Sequence, residues 1–117
     1  MRVGPSRKRS KYGAVPMVVD GIRFHSKREA ARYGELKLLE RAGEIRSLEL
    51  QPAFPLMAPV RGVSRLTPIG HYRADFRYRQ GPTGILVIED VKGMRTQLYR
   101  WKKKHFEQQY GISITET

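Results

Sequence analysis

Apolar residues recur along this chain with two periods, and turn residues mark where one gives way to the other. Met17-Val-Val-Asp-Gly-Ile-Arg-Phe24 sets Asp20-Gly21 between short β-branched flanks. A type I′ turn needs two successive residues with φ > 0, which Asp-Gly supplies, so this stretch predicts a hairpin. Ser26-Lys-Arg-Glu29 fits a capping box and opens a helix that runs through good helix formers to Ala42, with Gly43 as its stop. Ala31, Leu36, Leu38, Leu39 and Ala42 form its expected apolar stripe. Extended structure follows from Ile45 to Met57, interrupted near Pro52 and Pro55. Residues 58–70 are rich in Pro, Gly and Ser and predict a loop or wide turn.

From His71 to Arg79 the alternation is clean. Tyr72, Ala74, Phe76 and Tyr78 share one face; His71, Arg73, Asp75, Arg77 and Arg79 share the other. Gln80-Gly-Pro-Thr-Gly84 is a turn, and Ile85 to Lys92 is the most buried-looking strand. Thr96 to Tyr110 predicts a second helix with Leu98, Trp101 and Phe106 inward and Arg100, Lys103 and Lys104 outward. Gly111 ends it, and Ile112 to Thr115 is a last short strand. Hairpin, helix, three strands, helix, strand predicts a single α/β or α+β domain over residues 16–117, with a mixed sheet flanked by helices. The closing strand–helix–strand run predicts a parallel pair.

Composition narrows the partner. The 117 residues carry 23 Lys+Arg against 11 Asp+Glu, a formal charge of +12, and no cysteine. That excludes a disulfide scaffold and a Cys-ligated zinc site. The longest purely aliphatic run, Ile85 to Ile88, is far too short to cross a bilayer. No apolar segment follows the basic start, so a cytoplasmic, non-secreted protein is expected. Residues 1–15 have no apolar period and read as a disordered basic arm, with Arg7, Lys8, Arg9 and Lys11 suited to phosphate contacts. Residues 91–106 hold six basic residues and no acid, and residues 50–88 hold five and one, Asp75. A lone carboxylate among cations is either ion-paired, to Arg73 or Arg77, or a metal ligand.

Asp90-Val91-Lys92 closes the buried strand, and residues two apart on a strand emerge on one face. If the two strands pair as a hairpin, Asp75 and Asp90 converge. Converged carboxylates repel, and a hard divalent cation relieves them; oxygen donors suit Mg²⁺, which also binds phosphate oxygens. Such an ion activates water and polarises a phosphodiester. Lys92 then stabilises developing charge or orients water. Glu35-Leu36-Lys37 repeats the acid-x-Lys pattern, but on a helix those side chains diverge by about 100° per residue. Glu29 and Glu35 both compete to be a third, helical carboxylate, and Glu29 has a second reading as the capping-box acid. The remaining residues have plainer readings: Glu89 as a salt bridge, with the basic helix as a candidate partner, His25 and His71 as solvated, and His105 and Trp101 as core. Trp101 has a second reading as a stacking ring for an exposed base.

Acid on the first helix, Asp on a strand, acid-x-Lys on the next, then helix and strand, resembles the PD-(D/E)xK, or restriction-endonuclease-like, nuclease superfamily and its αβββαβ core. Residues 17–115 are similar to a family of short phage-encoded proteins labelled a domain of unknown function. The stretches that carry this are Phe24-His-Ser-Lys-Arg-Glu-Ala30, Tyr33-Gly-Glu-Leu-Lys-Leu-Leu39, Leu50-Gln-Pro52, Tyr72-Arg-Ala-Asp-Phe76, Glu89-Asp-Val-Lys-Gly93 and Tyr110-Gly-Ile-Ser-Ile114. Ser26-x-x-Glu29 is similar to archaeal junction resolvases and transposon-end-cutting nucleases, which favours Glu29 over Glu35. Ala74 stands where the motif proline would be.

The resemblance implies a Mg²⁺-dependent DNA endonuclease, with Mn²⁺ able to substitute. Glu29, Asp75 and Asp90 would hold the ion, with the Val91 carbonyl as a further ligand and Gln51 as a neighbour. Arg73, Arg77, Arg95, Lys102, Lys103 and Lys104 would hold the DNA backbone. So short a chain has little room for base readout, so selectivity for branched DNA and a homodimer are expected. The rival is a non-enzymatic DNA-binding recombination accessory module on the same scaffold.

Overall fold

The computed structural model describes residues 16–92 and 95–117. The expected basic arm, with Arg7, Lys8, Arg9 and Lys11, lies outside the described residues. The fold is α+β. A hairpin of β1 (Met17–Val19) and β2 (Ile22–Phe24) precedes helix α1 (Lys27–Arg41). Then come β3 (Ile45–Leu50), β4 (Ala53–Ala58), β5 (Thr67–Arg73), β6 (Phe76–Gln80), β7 (Leu86–Asp90), helix α2 (Gln97–Tyr110) and β8 (Ile114–Glu116). The main sheet runs β3-β6-β7-β8, antiparallel except for the parallel β7–β8 pair that α2 connects. The β4–β5 pair forms a separate two-stranded ribbon. Without that ribbon and the first hairpin, the core order is the expected αβββαβ.

Local chemistry explains the boundaries. Asp20 and Gly21 both have positive φ (54° and 74°), as the hairpin turn requires. Ser26 caps α1, its hydroxyl accepting from the Glu29 amide at 3.1 Å. The reciprocal half of the expected capping box lands one residue early: Glu29 Oε1 accepts from the His25 amide, at 2.8 Å, not from Ser26. Thr96 caps α2, and Gly111, at φ 69°, ends it.

Two cores sandwich the sheet. Phe24, Tyr33, Leu36, Phe76 and Tyr78 pack under α1. Phe54, Tyr72, Ala74, Ile88, Phe106 and Ile114 pack under α2. The alternating face of 71–79 is buried throughout, yet it is divided between these cores: Tyr72 and Ala74 belong to one, Phe76 and Tyr78 to the other. The expected single strand is therefore two. The chain leaves the ribbon after Arg73, crosses between layers at Ala74–Asp75, and joins the main sheet at Phe76. The 45–57 stretch breaks at Gln51–Pro52, as expected, with Gln51 at φ 50°, but it runs unbroken through Pro55, which lies inside β4. Part of the expected 58–70 loop, from Thr67, is strand β5.

Both helical stripes need correction. In α1, Ala30, Tyr33 and Leu36 face inward, while Leu38 is 62% exposed and Ala31 and Ala42 are exposed. In α2, Phe106 is buried with Tyr99 and Tyr110 packed beside it, while Leu98 and Trp101 are about two-thirds exposed (64% and 65%). Aromatic–aromatic packing around Phe106 decides the facing: its ring lies 4.9 Å from Phe54, 5.2 Å from Tyr72 and 4.8 Å from Tyr110.

Glu89 is fully buried on β7. It pairs with Arg32 of α1 through Nε at 2.6 Å and Nη2 at 3.0 Å, and accepts from the Tyr78 hydroxyl at 2.7 Å. The expected salt bridge exists, but to the first helix, not the basic second one. Arg32→Ala leaves this carboxylate without its cation, so it is expected to destabilise the fold by about 3 kcal/mol. A urea melt showing less than about 1 kcal/mol of loss would mean that the pair holds nothing together.

Candidate active site

Three elements bring four side chains to one end of the sheet. β6 and β7 pair as an antiparallel hairpin, Phe76 opposite Glu89, so Asp75 and Asp90 fall at the next register position. The Asp75 amide donates to the Glu89 carbonyl at 3.1 Å, and the Val91 amide donates to Asp75 Oδ2 at 2.7 Å. Asp90 is 2% exposed; its Oδ2 accepts from the Tyr72 hydroxyl and stands 3.4 Å from Lys92 Nζ. Glu29 comes from the first turn of α1 and is 3% exposed. Its Oε1 is bonded, but its Oε2 is buried without a hydrogen-bond partner among the described residues.

These carboxylates feel one another. Burial first, then the neighbouring Glu29 carboxyl, push Asp75 up to about 6. Burial and Asp75 push Asp90 up to about 7, against the Tyr72 hydroxyl and Lys92. Asp75 raises the proton affinity of Asp90 because both are buried at one end of the sheet. The ion pair that is one of the two readings of Asp75 is absent among the described residues: Arg77 pairs with Glu49 at 2.5 Å, and Arg73 donates to the Gln51 carbonyl at 3.3 Å. Lys92 is held between Asp90 and the face of Tyr99, whose ring centroid is 3.8 Å from Nζ. The Tyr99 hydroxyl donates to Glu116 at 2.7 Å.

Of the two helical acids, Glu29 reaches the cluster. Glu35 is 64% exposed at its side chain and pairs with Arg32 at 2.9 Å. For Val91, the contact seen is from its amide to Asp75, not from its carbonyl. Gln51 sits nearby through its backbone, its amide donating to the Asp75 carbonyl at 2.8 Å. The expected backbone-gripping cations do not form one set. Arg95 and Lys103 both pair with Glu116, at 2.7 and 3.3 Å, whereas Lys102 and Lys104 have no acidic partner among the described residues. His105 Nε2 bonds the Met57 carbonyl at 2.8 Å, a satisfied, half-buried histidine.

Tyr72, Tyr99 and Arg28 touch the cluster without having been singled out from the sequence. Arg28 donates to the Lys92 carbonyl at 3.1 Å. The only available signal was that a buried tyrosine hydroxyl needs a partner.

Among the described residues, no group of three or more His, Cys, Asp or Glu side chains forms a ready-made metal site. The donor set nonetheless fits a hard cation: it is all oxygen, it is mutually repulsive, and it contains one orphaned buried carboxylate oxygen.

Fold and site together define a small α+β domain with a buried acidic cluster and one lysine at a sheet end. The chain belongs to the DUF1064 family (protein of unknown function), whose model matches residues 9–115. No curated protein and no solved structure matches the chain. Among the described residues no helix is long and apolar enough to cross a membrane.

The raised carboxyls make the metal-free fold pH-sensitive. Asp75 and Asp90 titrate near 4 when unfolded but near 6 and 7 when folded. Between those values the folded state holds protons that the unfolded state has lost. The stabilisation is complete below about pH 4 and is lost as pH rises through about 7. In EDTA at pH 8, Asp90→Asn is therefore expected to melt several degrees above the wild type, about 1–3 kcal/mol more stable. The gap should close toward pH 4. A variant less stable than the wild type at pH 8 would contradict the assigned repulsion.

Proposed function

We propose that this protein is a Mg²⁺-dependent DNA endonuclease of the PD-(D/E)xK kind, selective for branched DNA. The observation that carries the reading is the meeting of Glu29, Asp75 and Asp90, with a buried oxygen of Glu29 that has no hydrogen-bond partner among the described residues and Lys92 against Asp90. A stability-driven fold has no reason to bury three carboxylates together with only one ammonium beside them. Glu29, Asp75 and Asp90 would hold the ion, which when bound activates water and polarises the scissile phosphate.

The chain's own residues do the rest. Lys92 is aimed by the Tyr99 face and by Asp90, so its ammonium is positioned to offset charge that develops on the phosphate. Tyr72 fixes the Asp90 carboxyl from beneath. Arg28, bonded to the Lys92 carbonyl, holds the strand end that carries Lys92. The formal charge of +12 draws the polyanion. A homodimer supplies the second site that symmetric cutting of a junction needs, and a cytoplasmic setting supplies Mg²⁺.

The rival reading, a DNA-binding accessory module without catalysis, draws on one observation: Asp90 Oδ2 is already engaged by Tyr72 and Lys92. The two readings part on a single assay. Purified protein with a labelled four-way junction is expected to cut in Mg²⁺ or Mn²⁺ and not in EDTA. Asp75→Ala and Asp90→Ala should abolish cutting, and Lys92→Ala should slow it about a hundred-fold or more. Junction binding in gel shifts should survive all three changes. Three variants that cut as fast as the wild type would sink the assignment; binding without any cutting would leave the accessory module.

A further inference from the structure

We infer that the outer face of α2 is a stacking platform for an unpaired base in a single-stranded nucleic-acid segment, with Trp101 as the ring and Arg100, Lys102 and Lys104 as phosphate contacts. The inference deepens the proposed function and rests on its claim that the polyanion is a nucleic acid. It does not require catalysis.

Trp101 is 65% exposed in the middle of a helix, and Leu98, one turn earlier, is 64% exposed. Neither contributes to either core. Open grooves flank the indole on both sides. One, about 590 Å³, is walled by Tyr99, Arg100, Lys103 and Glu116. The other, about 490 Å³, lies between α2 and the β4–β5 ribbon and is walled by Leu56, Ile69, Lys102 and His105. The first groove shares one residue with the surroundings of the acidic cluster: its Tyr99 wall is the ring on which Lys92 rests.

Charge selects the occupant. Residues 95–106 carry five cations and no acid. Glu116 neutralises Arg95 and Lys103, while Arg100, Lys102 and Lys104 have no carboxylate partner among the described residues. A second copy of the chain would bring the same cations face to face. An apolar protein partner would leave them desolvated. A nucleic-acid strand meets both demands, since its phosphates match the cations and an unpaired base offers a flat face to the indole. A base within a duplex is covered on both faces, so blunt duplex fits the platform poorly.

The chain has one tryptophan, so its intrinsic fluorescence reports this position alone. In EDTA, titration with a twelve-nucleotide oligo(dT) is expected to quench that emission. A blunt hairpin duplex with the same number of phosphates should quench it far less. By anisotropy of labelled oligo(dT), Trp101→Ala should bind about ten-fold more weakly and Trp101→Phe nearly as well as the wild type. Both variants should melt like the wild type, because the ring is outside the cores. Absent quenching, equal quenching by duplex, or an emission change with protein concentration alone each overturns the inference; the last would mean that a second copy covers the ring. Quenching without Mg²⁺-dependent cutting would sink the nuclease reading and leave this one standing. Cutting without quenching would do the reverse.

Discussion

The buried pair of Glu89 and Arg32 is the constraint from which the rest of the arrangement follows. A carboxylate with no exposed surface must be neutralised by a cation in direct contact, and Arg32 offers a bidentate fork. Tyr78 and Thr117 satisfy its remaining acceptor sites, at 2.7 and 3.3 Å. Arg32 sits three residues after Glu29 on one helix, and Glu89 directly precedes Asp90 on one strand. Fixing α1 to β7 through the first pair therefore fixes the distance between Glu29 and Asp90. The bond needs no role in chemistry to determine where the acidic cluster lies.

Asp75 joins that cluster because the chain changes layers there. Tyr72 and Ala74 anchor the preceding residues in the core under α2, and Phe76 and Tyr78 anchor the following ones under α1. At the crossing the Asp75 carboxyl meets the carboxyls of both Glu29 and Asp90. The backbone stays bonded throughout the crossing: Ala74 to Pro52, Asp75 to Glu89, and Gln51 to Asp75. The main burden on the site is therefore electrostatic, beside the left-handed backbone of Gln51 at φ 50°. Three carboxylates share a water-poor corner, and burial there raises Asp75 and Asp90 above the usual carboxylate range.

Local signals carried the elements whose chemistry is local. Asp20-Gly21, Ser26, Thr96 and Gly111 all sit at the turns and caps their residue types favour. The alternation of 71–79 correctly picked the buried face, Tyr72, Ala74, Phe76 and Tyr78, while Asp75 and Arg77 on the other face are half-buried. It did not tell that the buried side belongs to two cores, because a period of two specifies a face and not what covers it. The helical stripes failed for a related reason. In α2 the large apolar residues Leu98 and Trp101 looked like core, but Phe106 with its tyrosine neighbours fills the space under the helix. Asp75, Asp90 and Lys92 were legible from strand spacing, whereas Tyr72 and Tyr99 were hidden as ordinary buried aromatics. Their hydroxyls show what they do only once the partners, Asp90 and Glu116, are in place.

A continuous line of contacts then ties the basic surface to the acidic corner. Arg95 and Lys103 on the α2 side hold Glu116, well below the usual carboxylate range, so that it stays ionised and accepts from Tyr99. Tyr99 in turn supports Lys92, and Lys92 meets Asp90. The oxygen of Glu116 thus polarises Tyr99 toward a more electron-rich ring, which strengthens its hold on the ammonium. Lys92 is held on both sides, by Asp90 and by the Tyr99 ring, which leaves its side chain little rotamer freedom. The basic residues of α2 consequently do two separate things. Those paired with Glu116 organise Lys92, and those without a carboxylate among the described residues lie around Trp101. A surface made only for solubility would have no reason to divide its cations in this way.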